Sequence, residues 1–421
     1  MQAGKSATKQ PRSYVFHVGD QIVRLIDTPG VGNSEGIEQD KKNFDNILSY
    51  LTHYDEIHAV CILLKPNNFR LSAMFRFCIQ ELLAHLHSSA KDNIVFCFTN
   101  ARATFYQPGD TLHALNRLLH DRNVGIKATE HNYFCFDNEA FRFLACLKNG
   151  VVFNQGDSRP YGESWKRSVE ETLRLFTHIG TLTPHKVTDT LNVNEVRRII
   201  LAMSTPLAEL AVVIQHNVQS DIDAKMQIEK YDKDIEFLKQ GGLESHFQAQ
   251  INERKSDKER KEALIKAIDR KIRELMEEQK YIIKASAKFG SYLKANAIIP
   301  YNDAVADYLD MSIEQERNKA KAIRNDPLLV QMQSMKREYE QQRAILDEAI
   351  VEKTGENIRT PEDVKKLQEE LFRLKHMGET LKYRFDIISI SRSAHNVTFK
   401  ERIVPVRQSY LVQGKAYSVF V

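Results

Sequence analysis

The stretch Gln21-Ile22-Val23-Arg24-Leu25-Ile26-Asp27-Thr28-Pro29-Gly30 decides how the first half of this chain is read. An apolar strand carrying Ile22, Val23, Leu25 and Ile26 runs straight into a carboxylate and a Pro-Gly turn. In a phosphate-binding α/β domain an aspartate at such a strand end holds Mg²⁺, usually through a water. The glycine three residues on gives a backbone N–H to the γ-phosphate. Asp-Thr-Pro-Gly is also an ordinary turn sequence; the preceding strand, with Gly32 and Gly36 in the following loop, favours the ligand-loop reading.

Working outward, residues 13 to 27 predict two strands joined at Gly19-Asp20, a β-hairpin. Downstream, Phe44, Ile47, Leu48 and Leu51 share one face of a helix from about 38 to 53. Buried strands follow at 57 to 64 (IHAVCILL) and 93 to 99 (NIVFCFT), with a short one at 132 to 136, and apolar-faced helices at 70 to 87, 110 to 121 and 161 to 178. Strands alternating with helices at this spacing imply parallel crossovers and a mostly parallel sheet with helices on both faces.

Beyond residue 185 the period changes. Ile228, Tyr231, Ile235 and Leu238, then Ile265, Ile268, Ile272 and Leu275, follow a 3,4,3 spacing, the mark of a coiled-coil seam. A third seam spans Leu328 to Ala349, and a fourth, Val364 to Leu374, begins at the capping sequence Thr360-Pro361-Glu362-Asp363 and is expected to stop at Gly378. Breaks are expected at Gly241-Gly242, Phe289-Gly290 and Asn325-Asp326-Pro327. Short, punctuated seams favour antiparallel helices that fold back on each other over one long rod. The alternating stretches FDIISIS and VTFKERIVPV predict a small β-rich or poorly ordered tail over 381–421. The expected domains are therefore 1–180 (α/β), 185–380 (helical coiled coil) and that tail.

Composition sets the outer limits. Of 421 residues, 17 are Gly and 11 Pro, below the usual share, and 42% are hydrophobic, which excludes collagen-like and wholly disordered classes. Eleven glycines fall in residues 1 to 180 and six in the rest, so the glycine-poor character belongs to the helical half. A net charge of +4 gives no electrostatic case for a nucleic-acid partner. The five cysteines lack CxxC spacing and lie in apolar runs, as reduced thiols of a cytoplasmic protein do. No apolar run is long enough to span a bilayer and no lipidation motif is encoded, so no membrane anchor is expected. His53, His58, His85 and His87 lack the HExxH order of a zinc hydrolase, and the basic run from Arg254 to Lys261 is interleaved with acids as a solvated helix face is.

On Asp27-Thr28-Pro29-Gly30 and the two later strand ends, the first half resembles the septin-like GTPases, in particular the GTPases of immunity-associated proteins, over about residues 7 to 178. The resemblance implies a P-loop NTPase-type G domain that binds GTP or GDP with Mg²⁺. Ala7-Thr8-Lys9, with Thr8 nineteen positions before Asp27, looks like the switch I segment, so Thr8 and Asp27 would hold Mg²⁺ and Gly30 would sense the γ-phosphate. Thr99 and Asn100 fall where the base-specificity motif is expected, and Asn138 falls in the expected base loop. The implied role is a switch or assembly protein that self-associates or binds a coiled-coil partner. Without nucleotide binding, the same chain reads as a coiled-coil scaffold carrying a relic domain.

Three departures bear on activity. Gly4-Lys5-Ser6 copies only the end of a phosphate loop, and Lys5 lies 22 residues before Asp27, about half the required distance, with Pro11 breaking any following helix. The first strand, the phosphate loop and the first helix are therefore expected to be absent. Arg102 stands where a carboxylate would accept hydrogen bonds from guanine, and an arginine has donors only, so Glu139 substitutes or selectivity is weak. Val31 follows Gly30 where Ras-like enzymes use a water-orienting glutamine, so hydrolysis is expected to be slow or absent.

Overall fold

The computed structural model describes residues 8–18, 21–30, 37–67, 73–154, 156, 158–240, 244–302, 304–319, 360–393, 398–405 and 417–420, with 329–330, 332–334, 336–337, 339–340, 343–344, 347 and 358. The chain divides into two compact units: 1–196 with 293–343 and 389–421, and 197–292 with 344–388.

The first unit is built on strands β1 (Arg12–Val18), β2 (Gln21–Asp27), β4 (Ala59–Leu64), β5 (Ile94–Phe98), β6 (Tyr133–Cys135), β8 (Glu401–Val404) and β9 (Tyr417–Phe420), with a separate pair β3 (Glu56–Ile57) and β7 (His185–Lys186). The seven-stranded sheet has the order β6-β5-β4-β9-β2-β1-β8. Only β1 and β2 pair antiparallel, as a hairpin in register Arg12↔Asp27 to Val18↔Gln21; the other neighbours are parallel. The described chain thus carries an α/β layer with a mostly parallel sheet, together with long helices.

Helices α1 (Ile37–Leu51), α2 (Ala73–His85) and α3 (Asp110–Asp121) cover one face through Ile47, Tyr50, Leu83, Leu115 and Leu119, packed on Ile26, Ile62, Phe96 and Phe98. Helix α5 (Ser158–Ile179), which follows α4 (Glu139–Lys148), covers the other face with Leu175 and Ile179 against Cys61, Val95, Cys97 and Phe134. Strand β5 is buried throughout because both its faces are covered, which is why it reads as an unbroken apolar run. Burying Cys78 and Cys135 pushes both thiols up to about 12, so neither is a thiolate at neutral pH.

The interior place between β2 and β4 is taken by β9, from the far end of the sequence. Strand β9 pairs Val23↔Tyr417 to Ile26↔Phe420 on one side, and Ala59↔Val419 and Val60↔Phe420 on the other. Strand β8 extends the opposite edge beside β1. The hydroxyl of fully buried Tyr50 lies 2.9 Å from Ser13 Oγ and 2.8 Å from the Lys400 carbonyl, tying α1 to both strands' surroundings.

The tail expectation is thereby revised. FDIISIS lies in helix α10 (Gly378–Ser393), where β-branched residues are carried by a helix rather than a strand, while VTFKERIVPV supplies β8 to the main sheet. Gly378 opens that helix instead of ending α9 (Pro361–Phe372), which closes at Arg373. At α9's start Thr360 and Asp363 form a reciprocal capping box with Pro361 in the first turn. Helix α7 (Glu244–Asn296) passes through Phe289-Gly290 without a break, because Phe289 is fully buried and packing outweighs the propensity cost of one glycine, about 1 kcal/mol. Residues 241–243 and 325–327, the other expected breaks, lie outside the described residues, as do both ends of the third seam, residues 328 and 349.

In the second unit α6 (Val187–Gln240) and α7 run antiparallel. Arg254 pairs with Asp234 at 3.9 Å, Lys258 binds Asp232 at 2.5 Å, and Ser286 reaches the Met203 sulfur at 3.7 Å, so the partner number falls as the α7 number rises. Tyr281 donates to Glu370 at 2.6 Å, joining α9 to this pair. No helix among the described residues is long and apolar enough to cross a membrane.

Under the α/β layer, His185 Nε2 lies 2.8 Å from Thr190 Oγ1 and its Nδ1 3.1 Å from Ser89 Oγ, with His87 stacked at 6.4 Å and Asp189 nearby. Burial, countered in part by Asp189 and reinforced by His87, pushes the His185 imidazole down to about 4. As pH falls, the unfolded chain therefore takes up this proton first. The stabilisation is complete above about 6.5 and drains away between about 6.5 and about 4. Urea unfolding midpoints followed against pH are expected to drop across that window, and His185→Gln to flatten the drop; a wild-type midpoint constant from pH 7 to 4.5 would refute the assignment.

Candidate functional site

Strands β2, β9, β4, β5 and β6 run parallel, so the segments after their carboxyl ends gather along one edge, the usual location of ligand sites in open α/β sheets. Backbone strain gathers there too. Among the described residues, five non-glycine residues have positive φ, and four of them, Asn67, Asn100, Phe105 and Tyr106, lie in the segments after β4 and β5. Such conformations cost about 1–3 kcal/mol each and persist where surrounding structure imposes them. Gly109 belongs to the same set: at φ +58, a Cβ there would meet Asn67 Oδ1 at 2.1 Å.

At the β2 end, the Thr8 hydroxyl donates to Asp27 Oδ2 at 3.0 Å, both side chains half-buried. The backbone beyond is tied to α1: Asn43 Nδ2 donates to the Gly30 carbonyl at 3.1 Å, and Asn43 Oδ1 accepts from Gln39 Nε2 at 2.9 Å. Thr8 and Asp27 thus present two hard oxygen donors at one point. That fits Mg²⁺, which takes one or two protein oxygens and completes its octahedron with water and phosphate.

Of the residues expected to face a base, Thr99 does other work. Its N–H and hydroxyl both donate to the Leu64 carbonyl, at 2.8 and 3.3 Å, and lock the β5 end to the β4 end. Asn100, at φ +59, is exposed, and Asn138, in the cap position of α4, is exposed and makes no side-chain cap bond. Both amides are thus exposed at this end of the edge.

The link between the two loops is Asp137. Its Oδ2 accepts the Arg102 N–H at 3.0 Å and its Oδ1 the Glu139 N–H at 2.9 Å, while its own N–H and carbonyl bond Ser168 Oγ on α5 at 3.1 and 2.8 Å. The sequence reading passed over Asp137; an Asp just ahead of a helix start was the available signal. Arg102 also pairs with Glu139 at 2.6 Å and lies 5.5 Å over the Tyr161 ring. The Glu139 carboxylate is therefore engaged by the arginine it was expected to compensate for.

Helix α5 closes the free side of edge strand β6. Arg174 donates to the Tyr133 carbonyl at 2.6 Å and the Glu130 carbonyl at 2.8 Å, and Glu171 accepts the Cys135 N–H at 3.3 Å. These side chains take up the backbone groups that another strand would otherwise use. No family model, curated protein or solved structure matches the chain.

Proposed function

We propose that the first unit is a nucleotide-switch module of the P-loop NTPase class that binds a guanine nucleotide weakly and serves assembly rather than turnover. The observation that carries this reading is the Thr8–Asp27 contact at 3.0 Å on the edge shared with Asn100 and Asn138. Thr8 and Asp27 would hold Mg²⁺, which supplies charge neutralisation for the phosphates. Gly30 lies at the γ-phosphate end of the same loop. Asn100 and Asn138 contact the base edge, with Thr99 and Asp137 holding their loops in place. A phosphate loop and the Asp27 loop must meet one nucleotide, so the strand carrying a phosphate loop belongs beside β2. Strand β9 occupies that place, and with it the strongest phosphate contacts are forgone.

A second reading has its own support. With β9 in that place and Glu139 neutralised by Arg102, the domain is equally built as a non-enzymatic scaffold with the helices as its working part. Titration with a fluorescent GTP analogue separates the two. The switch reading expects magnesium-dependent binding in the range of about 10–100 μM, abolished by EDTA and by Asp27→Ala, with little hydrolysis. Binding that is absent, or indifferent to magnesium and to Asp27→Ala, leaves the scaffold.

A further inference from the structure

We propose that the α4–α5 face is a two-fold self-association surface that joins two copies of this chain, with Val169 on the axis. The surface is apolar where a monomer's surface is ordinarily mixed. On α5, Trp165, Val169 and Leu173 are 51%, 41% and 51% exposed, and on α4, Phe141 is 64% exposed. Between the helices lies a groove of about 240 Å³ lined by Phe143, Leu144, Tyr161 and Trp165. Contiguous exposed patches of this kind mark interaction sites, and Trp165 is the only tryptophan in the chain, the residue type most favoured as an interface anchor.

The pattern identifies the occupant. Trp165 and Leu173 stand four residues before and four after Val169, so they share its face of the helix and lie at equal distances from it. An antiparallel α5 pair with its axis at Val169 lays Trp165 of one copy over Leu173 of the other, twice. An isologous interface requires this self-complementarity. The flanking charges obey the same symmetry. Lys166 and Glu170, both exposed, border the stripe on one side, and the axis brings Lys166 of each copy beside Glu170 of the other. Neither makes an ion pair with any described residue, although Arg159 pairs with Glu163 and Arg174 with Glu171 on the same helix. Lysine ahead of glutamate at this spacing is the weaker order within a helix, which leaves both side chains for an intermolecular partner.

The surface contains none of the candidate ligand residues, so this proposal stands whether or not nucleotide binds. Helix α5 is 22 residues and α4 is 10, about 33 and 15 Å long at 1.5 Å per residue. The face therefore offers several hundred Å² per copy, a small interface with an expected dissociation constant in the micromolar range.

Sedimentation of the full chain without nucleotide, from about 1 to 100 μM, tests it together with Trp165 fluorescence. Expected are a reversible monomer–dimer equilibrium and a blue shift of Trp165 emission with concentration. Val169→Asp should leave a monomer. Lys166→Glu and Glu170→Lys should each weaken the dimer about tenfold, and an equimolar mixture of these two should recover wild-type association, since opposite charges again face across the axis. All three positions are exposed, and unchanged circular dichroism verifies that the variants fold. A wild-type chain that stays monomeric throughout, or a Val169→Asp chain that dimerises like wild type, or a mixture no tighter than its components, overturns the proposal.

Discussion

A chain ending at Val404 is expected to lose the cooperative unfolding of its α/β unit. Strand β9 is an interior member of the sheet, and its removal strips the parallel partner from Val23–Ile26 of β2 and from Ala59–Val60 of β4. Four of those six residues, Val23, Ile26, Ala59 and Val60, are buried. Their orphaned N–H and C=O groups cost about 1–3 kcal/mol each unless water reaches them. Several such groups exceed about 5 kcal/mol together, comparable with the whole stability of a typical domain. A gentler variant isolates the strand: Val419→Pro deletes one N–H in a strand paired on both sides, where proline is not tolerated. Urea unfolding monitored by far-ultraviolet circular dichroism is the readout. A truncated chain and a Val419→Pro chain that both unfold within about 1 kcal/mol of wild type would show β9 to be dispensable.

Why that strand's place in the sheet escaped a reading that expected only a small β-rich or poorly ordered tail there, while its neighbours were legible, follows from how each is encoded. Strands β4 and β5 are buried on both faces and announce themselves as apolar runs, and the β1–β2 hairpin carries its turn signal within the same twenty residues. The α9 start was legible because Thr360, Pro361 and Asp363 act within one turn. Strand β9 has four residues, and its partners are set by which place in the sheet is open. No local pattern carries that information. FDIISIS shows the complementary failure: strand propensity is a weak term, and in α10 neighbouring packing, such as Phe385 against Phe372 at 5.7 Å, overrides it. At the candidate site, Asp27 stood out as a carboxylate at a strand end and Thr8 was singled out only through the family resemblance, whereas the Arg102–Glu139 pair and the role of Asp137 depend on how two loops 35 residues apart are brought together.

Replacing Asp137 is expected to have the largest effect on the site itself. Its carboxylate holds the Arg102 N–H in one loop and the Glu139 N–H in the other, and hydrogen bonds to a charged acceptor contribute about 1.5–3 kcal/mol each. Asp137→Ala removes both. If the loops then open independently of the rest of the unit, a loss of about 2.7 kcal/mol in local opening energy raises hydrogen exchange at those two amides about a hundredfold. Asp137→Asn is no conservative control, because its amide keeps one acceptor oxygen and turns a donor toward the other N–H. It should therefore protect one of the two amides and expose the other. Asp27→Ala, at the opposite end of the edge, should leave both unchanged. If nucleotide binds as proposed, Asp137→Ala should weaken it through the loops of Asn100 and Asn138 while leaving its magnesium dependence intact, whereas Asp27→Ala should abolish it. Residue-resolved exchange showing wild-type rates at Arg102 and Glu139 in Asp137→Ala would mean that the β5 lock at Thr99 and the α5 contact at Ser168 hold the loops without this carboxylate.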